Sequence, residues 1–178
     1  MTGKAAWRRW ARAIRRPPTA EEQRGVVEAV ATFLADVDGV ILTFQAMSHE
    51  LDLAPLLDSV PLDRLATTRT PDAGPLTVHR IDGPMERHRF GFDQPVPDAP
   101  TVDLASVHMV LVPGVLFGRD GSRLGNGMGY YDRLLAACRD DVVRVAVTRS
   151  DLVVASVPVD EHDVAMTHLA TELGVTIV

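Results

Sequence analysis

The chain has 178 residues, of which 46% are hydrophobic and 24% are charged, and its formal net charge at pH 7 is −6. This length and composition favour one globular domain and exclude a disordered chain. No run of about eighteen apolar residues is present, so we expect no membrane-spanning helix. The single cysteine, Cys138, excludes a disulfide framework and a multi-cysteine metal site. We therefore expect a cytoplasmic protein.

Positive charge is concentrated at the start of the chain. Residues 1–16 contain 6 of the 18 basic residues and none of the 24 acidic ones, so they carry +6 and the remainder carries −12. Such an acidic body argues against nucleic-acid binding but is compatible with a local site for an anion. We interpret residues 1–16 as a basic N-terminal helix that packs on the body through Trp7, Trp10, Ala11 and Ile14. A cleavable targeting peptide and a solvated charged segment are the alternatives.

Helical and strand patterns then alternate along the chain. Pro17-Pro18 followed by Thr19 marks the end of one helix and the N-cap of the next, which is predicted over Glu21–Leu34. The remaining patterns predict a strand at Gly39–Phe44, a short helix at Leu51–Leu57, a strand at Leu76–Ile81, a proline-rich surface loop at Asp93–Pro100, a buried strand at Val107–Val112, a helix at Tyr130–Cys138, a buried strand at Val142–Val147, an extended segment at Val153–Val159 and a terminal strand at Gly174–Val178.

This alternation indicates an α/β protein. We predict one domain over residues 1–178, built as a three-layer sandwich with a largely parallel central sheet. Parallel sheets of this kind place ligands at the carboxyl ends of their strands.

A glycine-rich segment precedes the helix predicted at Tyr130. Gly125, Gly127 and Gly129 alternate there, so the backbone can bring several N–H groups close to an anion. Arg123 and Arg133 flank the segment and can pair with phosphate oxygens. The spacing matches neither a dinucleotide-binding fingerprint nor a P-loop, so a tight turn without a ligand remains the alternative.

The whole string Arg123-Leu-Gly-x-Gly-x-Gly-Tyr-Tyr-Asp132 closely resembles the signature of the 5-formyltetrahydrofolate cyclo-ligases, also called methenyltetrahydrofolate synthetases. Other segments resemble the same family in the same order along the chain: Lys4-x-x-x-Arg8, Met47-Ser-His-Glu50-Leu, Gly91-Phe-Asp-Gln-Pro95, Leu111-Val-Pro-Gly114 with Phe117, and Val157-Pro-Val-Asp-Glu-His-Asp163. The glycine–tyrosine string is specific, whereas each of the others is weak by itself. The resemblance also implies a topology like that of sugar-phosphate isomerases and CoA-transferases.

The resemblance implies a reaction in which ATP and Mg²⁺ convert 5-formyltetrahydrofolate to 5,10-methenyltetrahydrofolate, ADP and phosphate. The formyl oxygen attacks the γ-phosphate, and N10 then closes on the phospho-imidate and expels phosphate. No enzyme nucleophile is required, so catalysis rests on positioning and charge neutralisation. The expected partners are these small molecules, with no membrane and no nucleic acid, and the expected state is a monomer.

The resemblance also assigns candidate roles. The ATP ligands are Lys4, Arg8, Arg123, Gly125, Asn126, Gly127, Met128, Gly129, Tyr130 and Tyr131; the folate ligands are Gln45, Met47, Glu50, Phe90, Asn126 and Tyr130; the catalytic residues are Arg123 and Tyr130; and the Mg²⁺ ligands are Asp132 and Asp163. Read without the resemblance, Asp132 is a first-turn helix acid, Asp163 belongs to a solvated acidic turn, Glu50 is a surface carboxylate and Phe90 is a core residue.

Two alternative functions remain open from the sequence. One is a non-catalytic nucleotide- or folate-binding member of the same fold. The other is an unrelated α/β enzyme of the isomerase or CoA-transferase kind, which needs an acid/base pair for which Glu50 is the one obvious candidate. The segment Thr148–Asp151 departs from the family pattern, which puts nucleotide contacts there in doubt.

Overall fold

The computed structural model describes residues 2–178, which form three α-helices and twelve strands. The helices are α1 (Lys4–Ile14), α2 (Ala20–Leu34) and α3 (Tyr130–Ala136). The strands are β1 (Val40–Thr43), β2 (Leu65–Arg69), β3 (Thr77–Arg80), β4 (Met85–Arg87), β5 (Asp93–Pro95), β6 (Val107–Val112), β7 (Leu116–Gly118), β8 (Arg123–Leu124), β9 (Val143–Val147), β10 (Val153–Val154), β11 (His168–Thr171) and β12 (Gly174–Ile177). Four short 3₁₀ helices cover Ala54–Asp58, Leu62–Arg64, Leu104–Ser106 and Ser150–Leu152.

Seven strands form the central sheet in the order β12-β11-β9-β6-β1-β2-β3. The five inner strands are mutually parallel, and β3 and β12 run antiparallel at the two edges. The chain goes from β1 outward to β3, then returns to the other side of β1 and builds the remaining strands outward from β6. The topological switch point therefore lies between β1 and β6, where α/β sheets place their ligands.

Both faces of the sheet are covered by helices. On one face, α2 buries Val26 and Val30 against strand residues that include Ile41 and Met109. On the other face, Leu134 of α3 packs with Leu42, Val110 and Ala146. The alternation of these strand residues between the two clusters is the two-residue period of a doubly covered sheet. The predicted α/β sandwich with a mostly parallel sheet is thereby confirmed.

The helix α1 lies outside this sandwich. The contacts that attach it to the body differ from those that the sequence predicted. Ala11 is buried, and Trp7 packs partly against Leu116 and Leu124. Trp10 and Ile14, which were expected to anchor the helix, are 36% and 41% exposed. The helix is instead oriented by its basic side chains, which point into a cleft on the body.

The linker between α1 and α2 is fixed by hydrogen bonds at both of its own ends, at Arg16 and at Thr19. Thr19 caps α2 and forms a reciprocal capping box with Glu22, as its position after the two prolines predicts. The buried guanidinium of Arg149 donates to the carbonyl of Arg16 at 2.6 Å and also pairs with Asp151. The segment Thr148–Asp151, which departs from the family pattern, thus holds the linker in place.

Several strand predictions need correction. The surface loop expected at Asp93–Pro100 is wrong at its start, because Asp93–Pro95 is β5 and forms a hairpin with β4. Arg69 ties this hairpin to the main sheet by donating to the carbonyl of Pro95 at 2.6 Å. Besides β5, the strands β2, β4, β7, β8 and β11 were not predicted. Across residues 2–178, the helices are too short or too polar to cross a bilayer.

Candidate active site

A cleft of about 1170 Å³ opens at the carboxyl ends of β1, β2 and β6. Its walls come from α1, the segment after β1, the glycine-rich segment before α3 and the loop after β10. All the candidate site residues line it: Lys4, Arg8, Gln45, Met47, Glu50, Phe90, Arg123, Gly125, Asn126, Gly127, Met128, Gly129, Tyr130, Tyr131, Asp132 and Asp163. The structure therefore brings together residues that are distant in sequence, at the switch point of the sheet.

One face of α1 contributes positive charge to this cleft. Lys4, Arg8, Arg12 and Arg15 all line it, at intervals of three or four residues that place them on one side of the helix. Arg8 Nε donates to the carbonyl of Gly125 at 2.9 Å, which joins α1 to the glycine-rich segment.

The glycine-rich segment needs its glycines for two different reasons. Gly127 and Gly129 have φ values of +106° and +64°, which side chains with a Cβ rarely adopt. Gly125 has an ordinary φ, but a Cβ there would lie 2.9 Å from Nη1 of Arg123. The helix that follows has seven residues, so the segment's own N–H groups and the surrounding cations are its main attraction for an anion.

Arg123 forms a buried wall of the cleft. Its Nη2 donates to Oδ1 of Asp132 at 2.7 Å, its Nη1 donates to the carbonyl of Pro113 at 3.3 Å, and its Cζ lies 5.8 Å from the centre of the Tyr131 ring. The Nε group of Arg123 is buried and has no partner among residues 2–178. A buried donor without a partner costs free energy, so this arginine is suited to a ligand oxygen.

The two tyrosines of the motif lie in different surroundings. Burial raises the pKa of Tyr131, whose ring packs partly against the core clusters on both faces of the sheet. Tyr130 is half-buried, with the guanidinium of Arg133 at 5.3 Å from its ring centre. The Tyr131 hydroxyl therefore stays protonated at neutral pH, and its side chain forms part of the cleft wall.

The segment after β1 places a carboxylate inside the cleft. Glu50 Oε2 accepts a hydrogen bond from the backbone N–H of Met47 at 3.0 Å. Burial raises the pKa of Glu50, and the Met47 N–H and the charge of Arg15 oppose this shift only in part. Glu50 is therefore not the surface carboxylate of the alternative interpretation. Next to it, Arg15 Nη1 lies 2.9 Å from Nε2 of His49.

Phe90 lies at the tip of the β4–β5 hairpin and is 63% exposed, so the alternative interpretation of Phe90 as a core residue is wrong. Its ring makes an edge contact with His88 at 5.0 Å, and the Arg89 guanidinium lies 5.0 Å from its centre. Phe90 and Phe92 both line the cleft, so they present aromatic surface to a ligand.

At the other end of the cleft, Lys4 bonds to Asp163 and also lies 2.8 Å from Oδ2 of Asp160. Burial acts against the charge of Asp163, but the bonds from Lys4 and from the Asp160 backbone outweigh it and lower the pKa of Asp163. Burial likewise opposes the charge of Lys4, whose pKa the two carboxylates raise. Both groups stay charged at neutral pH.

The two expected metal ligands are each engaged by a cation. Asp132 Oδ1 accepts from Arg123, and Asp163 Oδ2 accepts from Lys4, which leaves the second oxygen of each carboxylate without a hydrogen bond to residues 2–178. Within the same residues, no three His, Cys, Asp or Glu side chains form a group that would hold a metal by themselves.

Sequence reasoning missed several residues of the cleft: Arg12, Arg15, His49, Thr68, Thr70, Phe92 and Asp160. The spacing of the basic residues in α1 would have identified Arg12 and Arg15. Thr68 and Thr70 belong to β2 and to the residue after it, and the sequence pattern gave no sign of that strand.

The molecule is an α/β protein with a cleft at the switch point of its sheet. Glycine backbone and a row of cationic side chains line this cleft, and such a lining is chemically suited to a phosphate-bearing ligand. The 5-formyltetrahydrofolate cyclo-ligase family model matches residues 4–172. The chain belongs to this family.

Relatives and solved structures agree with this membership. The chain is 37% identical over 90 residues to a 5-formyltetrahydrofolate cyclo-ligase of Mycolicibacterium smegmatis and 35% identical over 68 residues to that of Mus musculus. These segments are 50% and 36% of this chain and span 46% and 34% of those relatives.

Among solved structures, the NMR structure of Aquifex aeolicus 5,10-methenyltetrahydrofolate synthetase is 29% identical, with a TM-score of 0.80 over 98% of this chain and 92% of that one. A Mycoplasma pneumoniae 5,10-methenyltetrahydrofolate synthetase shares the fold at a TM-score of 0.76 and 16% identity, over 96% of this chain and 99% of that one.

Proposed function

We propose that this protein is an ATP- and Mg²⁺-dependent enzyme that converts 5-formyltetrahydrofolate to 5,10-methenyltetrahydrofolate, ADP and phosphate. Family membership and the names of the relatives support this substrate and product. The observation that carries the proposal is the bond between Arg8 and the carbonyl of Gly125, because it brings a cationic helix onto the glycine-rich segment. Phosphate oxygens accept hydrogen bonds both from cationic side chains and from backbone N–H groups.

The nucleotide is proposed to place its phosphates between α1 and the glycine-rich segment. Lys4, Arg8 and Arg123 supply the charge, and the backbone of residues 125–129 supplies N–H donors. Asn126 and Met128 are uncharged, so the arginines and Lys4 carry the neutralisation. Arg123 lines the same cleft, and Asp132 and the carbonyl of Pro113 hold its guanidinium in place, which supports this assignment.

The folate is proposed to occupy the part of the cleft next to Glu50. A pterin ring presents N–H donors along one edge, and the Glu50 carboxylate is an acceptor held in place by the Met47 N–H. Gln45, Asn126 and Tyr130 add polar contacts around this position, while Met47 and the exposed ring of Phe90 supply apolar surface.

The chemistry is two displacements at positions that the protein holds. The formyl oxygen bonds to the γ-phosphorus as the bond to ADP breaks, and N10 then bonds to the formyl carbon as its C–O bond to phosphate breaks and the N10 proton is lost. Arg123 stabilises the charge on the transferring phosphoryl group, and Tyr130 orients the formyl group beside it. These steps need no covalent bond to the enzyme.

The donor set fits Mg²⁺. Asp132 and Asp163 are hard carboxylate ligands, and each keeps one oxygen free of hydrogen bonds to residues 2–178. Mg²⁺ is commonly held by one or two carboxylates together with phosphates and water, so a complete protein cage is not required. When bound, it supplies charge neutralisation to the phosphates.

The assay that tests this function follows the absorbance of methenyltetrahydrofolate formed from 5-formyltetrahydrofolate. We expect product only when ATP and Mg²⁺ are both present. Binding of ATP and folate without product would instead support the non-catalytic alternative, and the family match already argues against an unrelated isomerase or transferase. The monomeric state and the cytoplasmic location stay predictions.

A further inference from the structure

We propose that Asp160 is a positioning residue for Lys4, which it holds in the orientation that receives a nucleotide phosphate. This inference rests on the proposed function, in which Lys4 is a phosphate ligand. The sequence motifs assigned no role to Asp160, although it lies in the segment Val157–Asp163, because only Asp163 of that segment was given a role.

Asp160 contacts both members of the Lys4–Asp163 ion pair. Its Oδ2 lies 2.8 Å from Nζ of Lys4, and its backbone N–H donates to Oδ2 of Asp163 at 2.7 Å. A lysine ammonium has three N–H donors. One of them is donated to the carboxylate of Asp163, and the carboxylate of Asp160 lies within ion-pair distance, so Lys4 keeps donor capacity for a ligand.

Stability does not explain this arrangement. The Asp160 side chain is 72% exposed, and an exposed ion pair contributes little to folding because solvent screens it. The Lys4 side chain, by contrast, is 16% exposed and lies inside the cleft. Lysine has a long flexible stem, so a fixed partner near its end decides where its charge lies.

The loop that carries Asp160 is itself anchored to the phosphate-binding wall. The backbone N–H of Val157 donates to Oγ of Ser122 at 2.9 Å, and Ser122 precedes Arg123 in the chain. Asp120 accepts from the same hydroxyl, which completes this anchor. Hydrogen bonds and the short backbone segments between them therefore connect the loop of Asp160 to the strand that carries Arg123.

Simple electrostatics predicts the opposite effect of Asp160 on nucleotide binding. A carboxylate near a polyanion repels it, so removal of the charge should tighten binding if repulsion is all that Asp160 contributes. If Asp160 positions Lys4, removal of the Asp160 charge should weaken nucleotide binding. The sign of the change in Kd therefore distinguishes positioning from repulsion.

The test is isothermal titration of Mg-ATP into wild type, Asp160→Asn, Asp160→Glu and Glu161→Gln. Glu161 is the matched control, because its side chain is 83% exposed in the same loop and makes no bond to Lys4. We expect Asp160→Asn to raise the Kd for ATP at least about threefold above that of Glu161→Gln, and Asp160→Glu to recover part of the loss. The Kd for 5-formyltetrahydrofolate should not change.

A double-mutant cycle with Lys4→Ala tests whether the effect passes through Lys4. Asp160→Asn should add nothing once Lys4 is absent. A Kd for Asp160→Asn equal to or below that of Glu161→Gln, or full additivity in the cycle, would overturn the inference. Failure of wild type to bind ATP, or an unchanged Kd in Lys4→Ala, would instead contradict the proposed function.

Discussion

Arg123 and Asp132 form an ion pair of 2.7 Å that spans the glycine-rich segment. Arg123 belongs to β8 and Asp132 to the first turn of α3, so the pair joins the two ends of the segment between them. The side chain of Arg123 is 5% exposed and that of Asp132 is 21% exposed. The conformation of the glycine-rich segment therefore depends on a pair that solvent barely reaches.

Asp132→Asn should affect both stability and catalysis. The substitution leaves a buried guanidinium with a neutral partner, so we expect the free energy of unfolding to fall by about 1–3 kcal/mol. We expect kcat to fall by about 10² or more, because charge neutralisation contributes several kcal/mol to phosphoryl transfer. Urea denaturation and kcat at saturating Mg-ATP measure the two effects.

Asp140→Asn is the control, since Asp140 is an exposed acid beyond the end of α3. Asp140→Asn should change neither the free energy of unfolding nor kcat. An Asp132→Asn variant with wild-type kcat at saturating Mg²⁺ would remove Asp132 from the site.

Many of the cleft residues were predictable because they lie in short strings that resemble the family, such as Lys4-x-x-x-Arg8 and the segment from Arg123 to Asp132. The partners were not predictable. The pairing of Lys4 with Asp163 joins residues 159 positions apart, and that of Arg123 with Asp132 depends on how the glycines turn. Such contacts follow from the sheet order, which no local pattern records.

Glu50→Gln should change the pH dependence of folate binding. Because burial raises the pKa of Glu50 above its ordinary value of 4.5, the wild-type KM for 5-formyltetrahydrofolate should rise as the pH falls through that raised pKa. The Gln variant should have a higher KM for folate, an unchanged KM for ATP and no such pH dependence. The weakened charge-assisted bond corresponds to about 1.5–3 kcal/mol.

The Glu50→Gln substitution should weaken folate binding without lowering the free energy of unfolding. A carboxyl group with a raised pKa in the folded state reduces stability above that pKa, because the unfolded chain solvates its charge better, and the penalty disappears below the unfolded value. At pH 7 Glu50→Gln should therefore be at least as stable as wild type, and the difference should shrink as the pH falls. Glu28→Gln, an exposed change on α2, serves as the control. An equal rise of both KM values would show that Glu50 acts on the structure of the cleft.

Lys4→Ala and Arg8→Ala should each weaken ATP binding by about 1.5–3 kcal/mol, since each removes a charge-assisted contact to phosphate. The melting temperature should fall only modestly in each variant, because Lys4 also pairs with Asp163 and Arg8 also donates to the carbonyl of Gly125, and each variant keeps the other contact. Arg9→Ala is the matched control, because Arg9 is exposed on the same helix and does not line the cleft. Titration of ATP gives the affinities, and wild-type affinity in both variants would place the phosphates elsewhere.

The most apolar of the longer strands, such as β6 and β9, were predicted, whereas most of the missed strands are short or contain polar residues. β6 reads Val-His-Met-Val-Leu-Val and was predicted with its observed bounds, because it is buried in the middle of the sheet. β2 reads Leu-Ala-Thr-Thr-Arg and β11 reads His-Leu-Ala-Thr, so neither shows the two-residue alternation of apolar and polar residues that marks a strand. Their strand conformation comes from pairing with β1 and β9, which only the tertiary structure provides.

Trp7 and Trp10 should differ in their contribution to stability, although both were expected to anchor α1. The rings form an edge-to-face pair with centres 5.9 Å apart, so either Trp→Ala substitution removes an aromatic contact of about 0.5–1 kcal/mol. Trp7 also packs against Leu116 and Leu124, whereas Trp10 is 36% exposed. We therefore expect Trp7→Ala to lower the free energy of unfolding by about 1–2 kcal/mol more than Trp10→Ala in urea denaturation.

Trp7→Ala should also weaken ATP binding, because α1 carries Lys4 and Arg8 and loses part of its apolar contact with the body. Equal losses of stability in the two variants would mean that the charged contacts alone hold α1 on the body.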